Sequence, residues 1–199
     1  MAITQGYATL ADVKAALRIT DNLDDSLLET NIESASRMID GYAARTFYNA
    51  GTATRHFASL EPLYCIVDDL ITLTKLESTD EIGDAYTEWA VTDYQLEPLN
   101  GRSDGLLMPT SGIRAVNDYT FPVVDGQALV RVTGTWGWSA IPIAIKQATV
   151  IQASRLYKRL DSPLGVTGFG DMGSIRVSRY LDPDVEQLVM PFRIMRHFG

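Results

Sequence analysis

Leu28, Ile32, Ala35, Ile39 and Tyr42 recur three or four residues apart, with polar residues between them. A helix turns once in about 3.6 residues, so this spacing returns every apolar side chain to one face and predicts a helix with a single buried stripe. Such a stripe needs partner elements. Asp24 or Asp25 is placed to cap this helix, which should end near Arg45-Thr46-Phe47. Upstream, Thr9-Leu10-Ala11-Asp12 has the spacing of a capping box, and the alanine-rich stretch to Leu17 suits a short helix that Arg18-Ile19-Thr20 leaves. The two predict a helical hairpin over residues 9 to 47.

From about residue 52 the periodicity changes. β-branched and aromatic residues alternate in short runs separated by Gly, Pro, Asn and Asp, which is the pattern of strands and turns. The runs are Arg55–Ala58, Leu70–Leu76, Glu88–Val91 and Ala128–Trp136, with turn signals at Asn100-Gly101-Arg102-Ser103-Asp104-Gly105 and Val124-Asp125-Gly126. We expect a small antiparallel region of meander type. Helix then returns. Pro142 fits a first helical position, Ile143 to Leu160 contains no Gly or Pro, and Arg155, Lys158 and Arg159 suit the carboxyl end of the helix dipole. Ala144, Ala148, Ile151, Ala153 and Leu156 occupy more than one stripe, which predicts burial on two sides, one of them open to another subunit.

The last forty residues differ from the rest. Gly165, Gly168, Gly170 and Gly173 make a loop, Ser174–Tyr180 alternates Ile175 and Val177 with Arg176 and Ser178, and Asp182-Pro183 opens a short helix closed by Pro191. Phe192 to Phe198 is apolar and basic. Chain ends are ordinarily polar, so this one is expected to dock on something. The fold class expected is therefore α+β: a small helical bundle of three main helices with an inserted antiparallel β region and an extended C-terminal arm. The segments are 1–51 (helical hairpin), 52–138 (β insertion), 139–163 (third core helix) and 164–199 (arm for subunit or portal docking).

Several function classes can be weighed against composition. Net charge is −8 over 199 residues. Residues 1–140 carry 9 Lys and Arg against 20 Asp and Glu, whereas residues 141–199 carry 8 against 5. An acidic body argues against a protein that grips nucleic acid through its phosphates, although DNA can slide past one. No run of about 18 apolar residues occurs and the first residues lack the basic and apolar segments of a signal peptide, so the expectation is a soluble protein made in a reducing cytoplasm. The lone Cys65 cannot form an internal disulfide.

Candidate chemical groups each have a structural explanation. Gly165-x-x-Gly168-x-Gly170 follows a helix and precedes a strand, the reverse of a phosphate-cradling loop, and reads as a hinge. His56 and Cys65 pair a base with a nucleophile in principle, but Cys65 lies within the apolar run Leu63–Val67 and reads as an inert buried thiol. Asp68-Asp69 and Asp24-Asp25 lack convergent metal ligands and read as turn and cap residues. Trp136-Gly137-Trp138 reads as filling the seam between a sheet and a helix. The sequence thus predicts no catalytic residue, cofactor or metal site. A small α+β hydrolase and a ligand-binding module built on the β region and the two tryptophans are the alternatives from other classes.

The segments Leu10-Ala11-Asp12-Val13-Lys14-Ala15-Ala16-Leu17-Arg18-Ile19, Asp24-Asp25-Ser26-Leu27-Leu28 and Ile32-Glu33-Ser34-Ala35-Ser36 resemble the start of the head-to-tail connector (adaptor) proteins of long-tailed bacteriophages. The resemblance continues through Val132-Thr133-Gly134-Thr135-Trp136-Gly137-Trp138-Ser139-Ala140-Ile141-Pro142, Ile145-Lys146-Gln147-Ala148 and Gln152–Arg159, then Asp161–Gly165, Phe169-Gly170 and Asp182–Val185. The latter half is similar to connectors of phages that infect actinobacteria. This resemblance implies a non-enzymatic structural subunit of the virion neck, assembled in the host cytoplasm. It further implies a closed ring of copies, usually a dodecamer, below the portal protein, which extends the DNA channel and docks a stopper or tail-terminator protein. Genomic DNA would pass without sequence-specific binding, and no membrane is involved. A stopper or tail-terminator subunit of the same neck is the nearest alternative. Closed rings use heterologous interfaces, and the arm is the segment suited to one, with Leu164, Phe169, Ile175, Arg176, Val177, Arg179, Phe192 and Arg193 as the expected subunit or portal contacts.

Overall fold

A computed structural model describes residues 3–103, 106–160 and 181–194. The chain divides into two compact units, a helical one from residues 1–47 and 141–199 and a β unit from residues 48–140.

The helical unit begins as its capping signal predicts. Helix α1 (Leu10–Leu17) starts at Thr9, whose hydroxyl accepts from the Asp12 N–H while the Asp12 carboxylate accepts from the Thr9 N–H, and it closes at Arg18 in the left-handed conformation. Helix α2 (Asp25–Ala43) buries Leu28, Ile32, Ala35 and Ile39 completely, and Ser36 and Ala43 complete its inward stripe while Tyr42 is half-buried. Asp24 precedes α2, but its carboxylate does not cap the helix. It accepts instead from the Tyr157 hydroxyl at 2.6 Å, which ties the start of α2 to helix α3 (Ile143–Leu160). Asp25 pairs with Lys14 of α1 at 2.6 Å.

Two-sided burial of α3 is observed, and both sides are covered within the chain. Ala148, Val150 and Ala153 are among its buried residues, and Val150 and Ala153 pack in a cluster with Leu28, Ile32 and Ala35 of α2. A fourth helix, α4 (Pro183–Val189), packs on α3 as well. Its cap Asp182 accepts from the Asp184 N–H and pairs with Arg155 of α3, and Val185 and Val189 are fully buried. The main bundle thus has four helices where the sequence suggested three, because the short Asp182-Pro183 helix folds back onto its own unit.

Three aromatic rings close this unit. Phe47 meets Tyr7 edge-on at 5.7 Å between centroids and Phe192 edge-on at 5.8 Å. The Tyr7 hydroxyl donates to Asp40 and accepts from the Phe47 N–H at 2.8 Å, and burial together with the Asp40 carboxylate pushes its pKa well above the ordinary tyrosine range. It therefore stays a donor at any physiological pH.

In the β unit, strands β1 (Asn49–Phe57), β2 (Tyr64–Ser78), β3 (Thr87–Glu88), β4 (Tyr94–Glu97), β7 (Thr110–Ala115) and β8 (Val130–Gly137) form one antiparallel sheet, while β5 (Arg102–Ser103) and β6 (Leu106–Leu107) pair with each other. The order β1-β8-β2-β7-β4, with β3 on β2, is not the expected meander: the last strand lies between the first two. Its sequence explains that place. Val130, Val132, Gly134 and Trp136 alternate inward with Arg131, Thr133 and Thr135 outward, so β8 has one fully buried face and cross-strand partners for the other. Gly134 is required where β2 crosses close by, since a Cβ there would sit 2.3 Å from the Thr72 carbonyl oxygen.

Long β2 serves two pairings. Its first part pairs with β7 and its second with β8, and the register shifts between Ile66 and Leu70 and again by Lys75 bend the strand over a core of Cys65, Leu70, Leu76, Ile113, Val132 and Trp136. Outside that core lies a charged network. Arg131 forks onto Glu77 at 2.7 and 2.8 Å, Lys75 reaches Glu77 at 2.9 Å and Glu88 at 3.2 Å, and the Arg131 guanidinium lies 4.0 Å from the Tyr86 ring centroid.

Two outcomes follow from this packing. Phe192→Ala should destabilise the protein by about 3–5 kcal/mol, read from urea unfolding of the full chain, because it leaves a hole against Phe47. The Arg131 fork, helped by Lys75, holds the Glu77 carboxyl down at about 2. A depressed folded-state pKa gives stability that is present above the ordinary glutamate range and lost as pH falls towards that value. Unfolding midpoints should therefore drop steadily on acidification to about pH 3, and Glu77→Gln should lower the midpoint near neutrality and flatten the acid slope.

Candidate subunit interface

The groups that suggest chemistry are held apart or already engaged. Cys65 is fully buried, and burial pushes its thiol up to about 11, the opposite of an activated nucleophile. His56 is exposed on β1, its ring 6.1 Å from that of Tyr86. Asp68 and Asp69 lie within β2 rather than in a turn. Asp68 pairs with Arg55 at 2.7 Å, and Asp69 accepts from the Trp138 indole N–H at 2.9 Å. Trp136 belongs to the β unit's own core and donates to the Ala53 carbonyl at 2.8 Å, so both indole N–H groups are satisfied where they are buried. Among the described residues no group of three or more His, Cys, Asp or Glu side chains is placed to hold a metal ion, and no helix is long and apolar enough to cross a membrane.

Of the expected contact residues, Leu164, Phe169, Ile175, Arg176, Val177 and Arg179 lie outside the described residues, as does the glycine-rich loop. Phe192 and Arg193 are placed. Phe192 is 3% exposed and packs on Phe47 of its own chain, so its burial does not wait for a neighbour. Arg193 lies over the Tyr42 ring at 5.1 Å, and the following Ile194 N–H donates to the Ala43 carbonyl at 2.9 Å. The stretch from Asp182 to Ile194 is thus part of the helical unit. An apolar end reads alike in sequence whether its partner is its own core or another chain, and here the aromatic contact decides.

Charge divides sharply between the units. The β unit holds 5 Lys and Arg against 13 Asp and Glu, a net −8, while the helical unit holds 12 against 12 and is neutral. The whole net charge of the chain therefore resides on the β unit. The boundary at residue 140 that the sequence suggested hides this, because it counts the acidic hairpin with the strands.

The sequence model of the phage gp6-like head-tail connector family matches residues 7–93, from the entry to α1 through α2, β1, β2 and β3. No curated protein matches. Among solved structures, a chain from the neck of an empty GTA particle, computed with C6 symmetry, is 20% identical with a TM-score of 0.58, covering 100% of this chain and 95% of that one. A chain from the neck of a native GTA particle, computed with C12 symmetry, is 18% identical with a TM-score of 0.57 over the same shares. These likenesses carry the fold across both units, and the helical hairpin that the sequence pattern singled out lies inside the family match. Over residues 7–93 the chain is thus similar to the phage gp6-like head-tail connector family.

Proposed function

We propose that the protein is a structural subunit of a phage neck, an adaptor that assembles into a closed ring below the portal, extends the DNA channel and docks the next neck or tail component. The single observation that carries this reading is the family match over the helical hairpin and the first strands. The structural relatives, which come from necks computed with sixfold and twelvefold symmetry, favour a ring of twelve copies. The role is positional rather than catalytic: a thiol held protonated and carboxylates engaged by arginine, lysine and indole leave these groups to hold the fold.

Charge supports the channel part of the reading. Multiplied around a ring, a β unit of net −8 would repel the phosphates of passing DNA and favour sliding over binding. The portal and the stopper or tail-terminator are then the protein partners, and the virion neck is the site of action. Leu164, Phe169, Ile175, Arg176, Val177 and Arg179 remain the proposed contacts to a neighbouring subunit or the portal. Phe192 and Arg193 stay in that set as proposals, with Phe192 packed on Phe47 of its own unit and Arg193 exposed beside the Tyr42 ring.

The test replaces residues 164–180 with a Gly/Ser segment of equal length, leaving α4 and Phe192 in place. The variant should keep near-native helix content and unfolding midpoint as a soluble monomer, yet fail to form rings or attach to portal-bearing particles, as read by sedimentation and electron microscopy. Normal rings would remove the arm from the assembly. A variant that does not fold would show that the segment belongs to its own core.

A further inference from the structure

Two features of the helical unit lie at opposite ends of α1. At its amino end an apolar pocket of about 430 Å³ is lined by Ile3, Tyr7, Ala8, Leu10 and Ile141, with Lys146 at its lip. Ile143, about one helical turn before Lys146 on α3, is 87% exposed. At the carboxyl end, the α1–α2 turn presents Leu23 at 90% exposure. A lone exposed leucine is ordinary, but this one is held in place. Its N–H donates to the Asp21 carboxylate at 3.0 Å, and the adjacent Asn22 side chain accepts from Lys14 at 2.8 Å, with Lys14 also paired to Asp25. Leucine is therefore carried on a pinned turn and flanked by Asp21 and Asp24.

We infer that Leu23 of one copy enters this pocket on the next copy, with the acidic flank of the turn facing Lys146. The occupant is a second copy of this chain, for three reasons. An apolar knob and an apolar hole sit at opposite ends of one helix and are different patches, so a copy whose hole is filled by one neighbour still offers its knob to the next, which is the heterologous contact that a ring of copies uses. The charges are complementary, since Asp21 is exposed and Lys146 keeps about half of its side chain in solvent while paired with Asp12 at 2.9 Å. And the pocket is larger than a single leucine needs, leaving room for part of the turn that carries it. This contact rests on the ring reading above and assigns it an interface that does not depend on residues 164–180.

Leu23→Asp removes the knob at an exposed position and should leave helix content and unfolding unchanged while cutting the yield of rings by more than about tenfold. Leu23→Cys combined with Ile141→Cys should give, on oxidation, a ladder of covalent oligomers that neither single variant gives. The native thiol does not interfere, because Cys65 is fully buried. Wild-type ring yield from Leu23→Asp, or double-cysteine rings that do not crosslink, overturns the contact and leaves the ring reading intact. A wild-type chain that forms no ring, alone or on portal-bearing particles, removes both.

Discussion

Phe47 is the point on which the helical unit depends. It ends the hairpin segment, it is fully buried, and it touches rings from opposite ends of the chain, Tyr7 and Phe192, in two nearly perpendicular contacts. Its backbone N–H is satisfied by the Tyr7 hydroxyl, which is in turn anchored on Asp40 of α2. Nearby polar groups thus have partners, so a cluster assembled from residues 7, 40, 47 and 192 can be dry without leaving an orphaned donor. This geometry lets a 93-residue β unit be inserted between α2 and α3 while the helices on either side still share one core.

That separation bears on the proposed role. The helical unit is electrically neutral and carries the pinned turn and the apolar pocket, features suited to contacts between like subunits. The β unit carries the entire net charge and its own core, built on β2 and β8 and locked at its rim by the Arg131–Glu77 fork. An adaptor needs to be held in a ring and to present a surface that DNA does not stick to. Placing the proposed subunit contact in the neutral unit and the negative charge in the other lets different surfaces meet the two needs.

Much of this was legible in the sequence, for identifiable reasons. The helices announced themselves because caps and period agree: Thr9 with Asp12, the stripe from Leu28 to Ile39, and Asp182-Pro183 at α4. Strands β4 and β7 were not seen, since β4 is four residues long and runs into Pro98, and Gly112 interrupts β7. Glycine there is a packing requirement, because the Tyr64 ring lies directly over it, and no local pattern reveals that. The position of β8 between β1 and β2 was also hidden, as strand order depends on cross-strand partners some 80 residues apart, such as Thr52 with Thr135. For the interface, composition singled out the arm, within which Phe192 packs on Phe47 of its own unit. Leu23 drew no notice, because a leucine in an acidic linker means little until the turn that pins it and the pocket across the helix are both known.

If this chain builds a ring in the neck of a phage particle, its copies are to be found there. Electron cryomicroscopy of purified particles, focused on the neck, tests it most directly. A closed ring of copies between capsid and tail, into which the helical and β units fit, is the expected result. Particles whose neck holds no copy of this chain, or holds it only as a single subunit beside the channel, would contradict it.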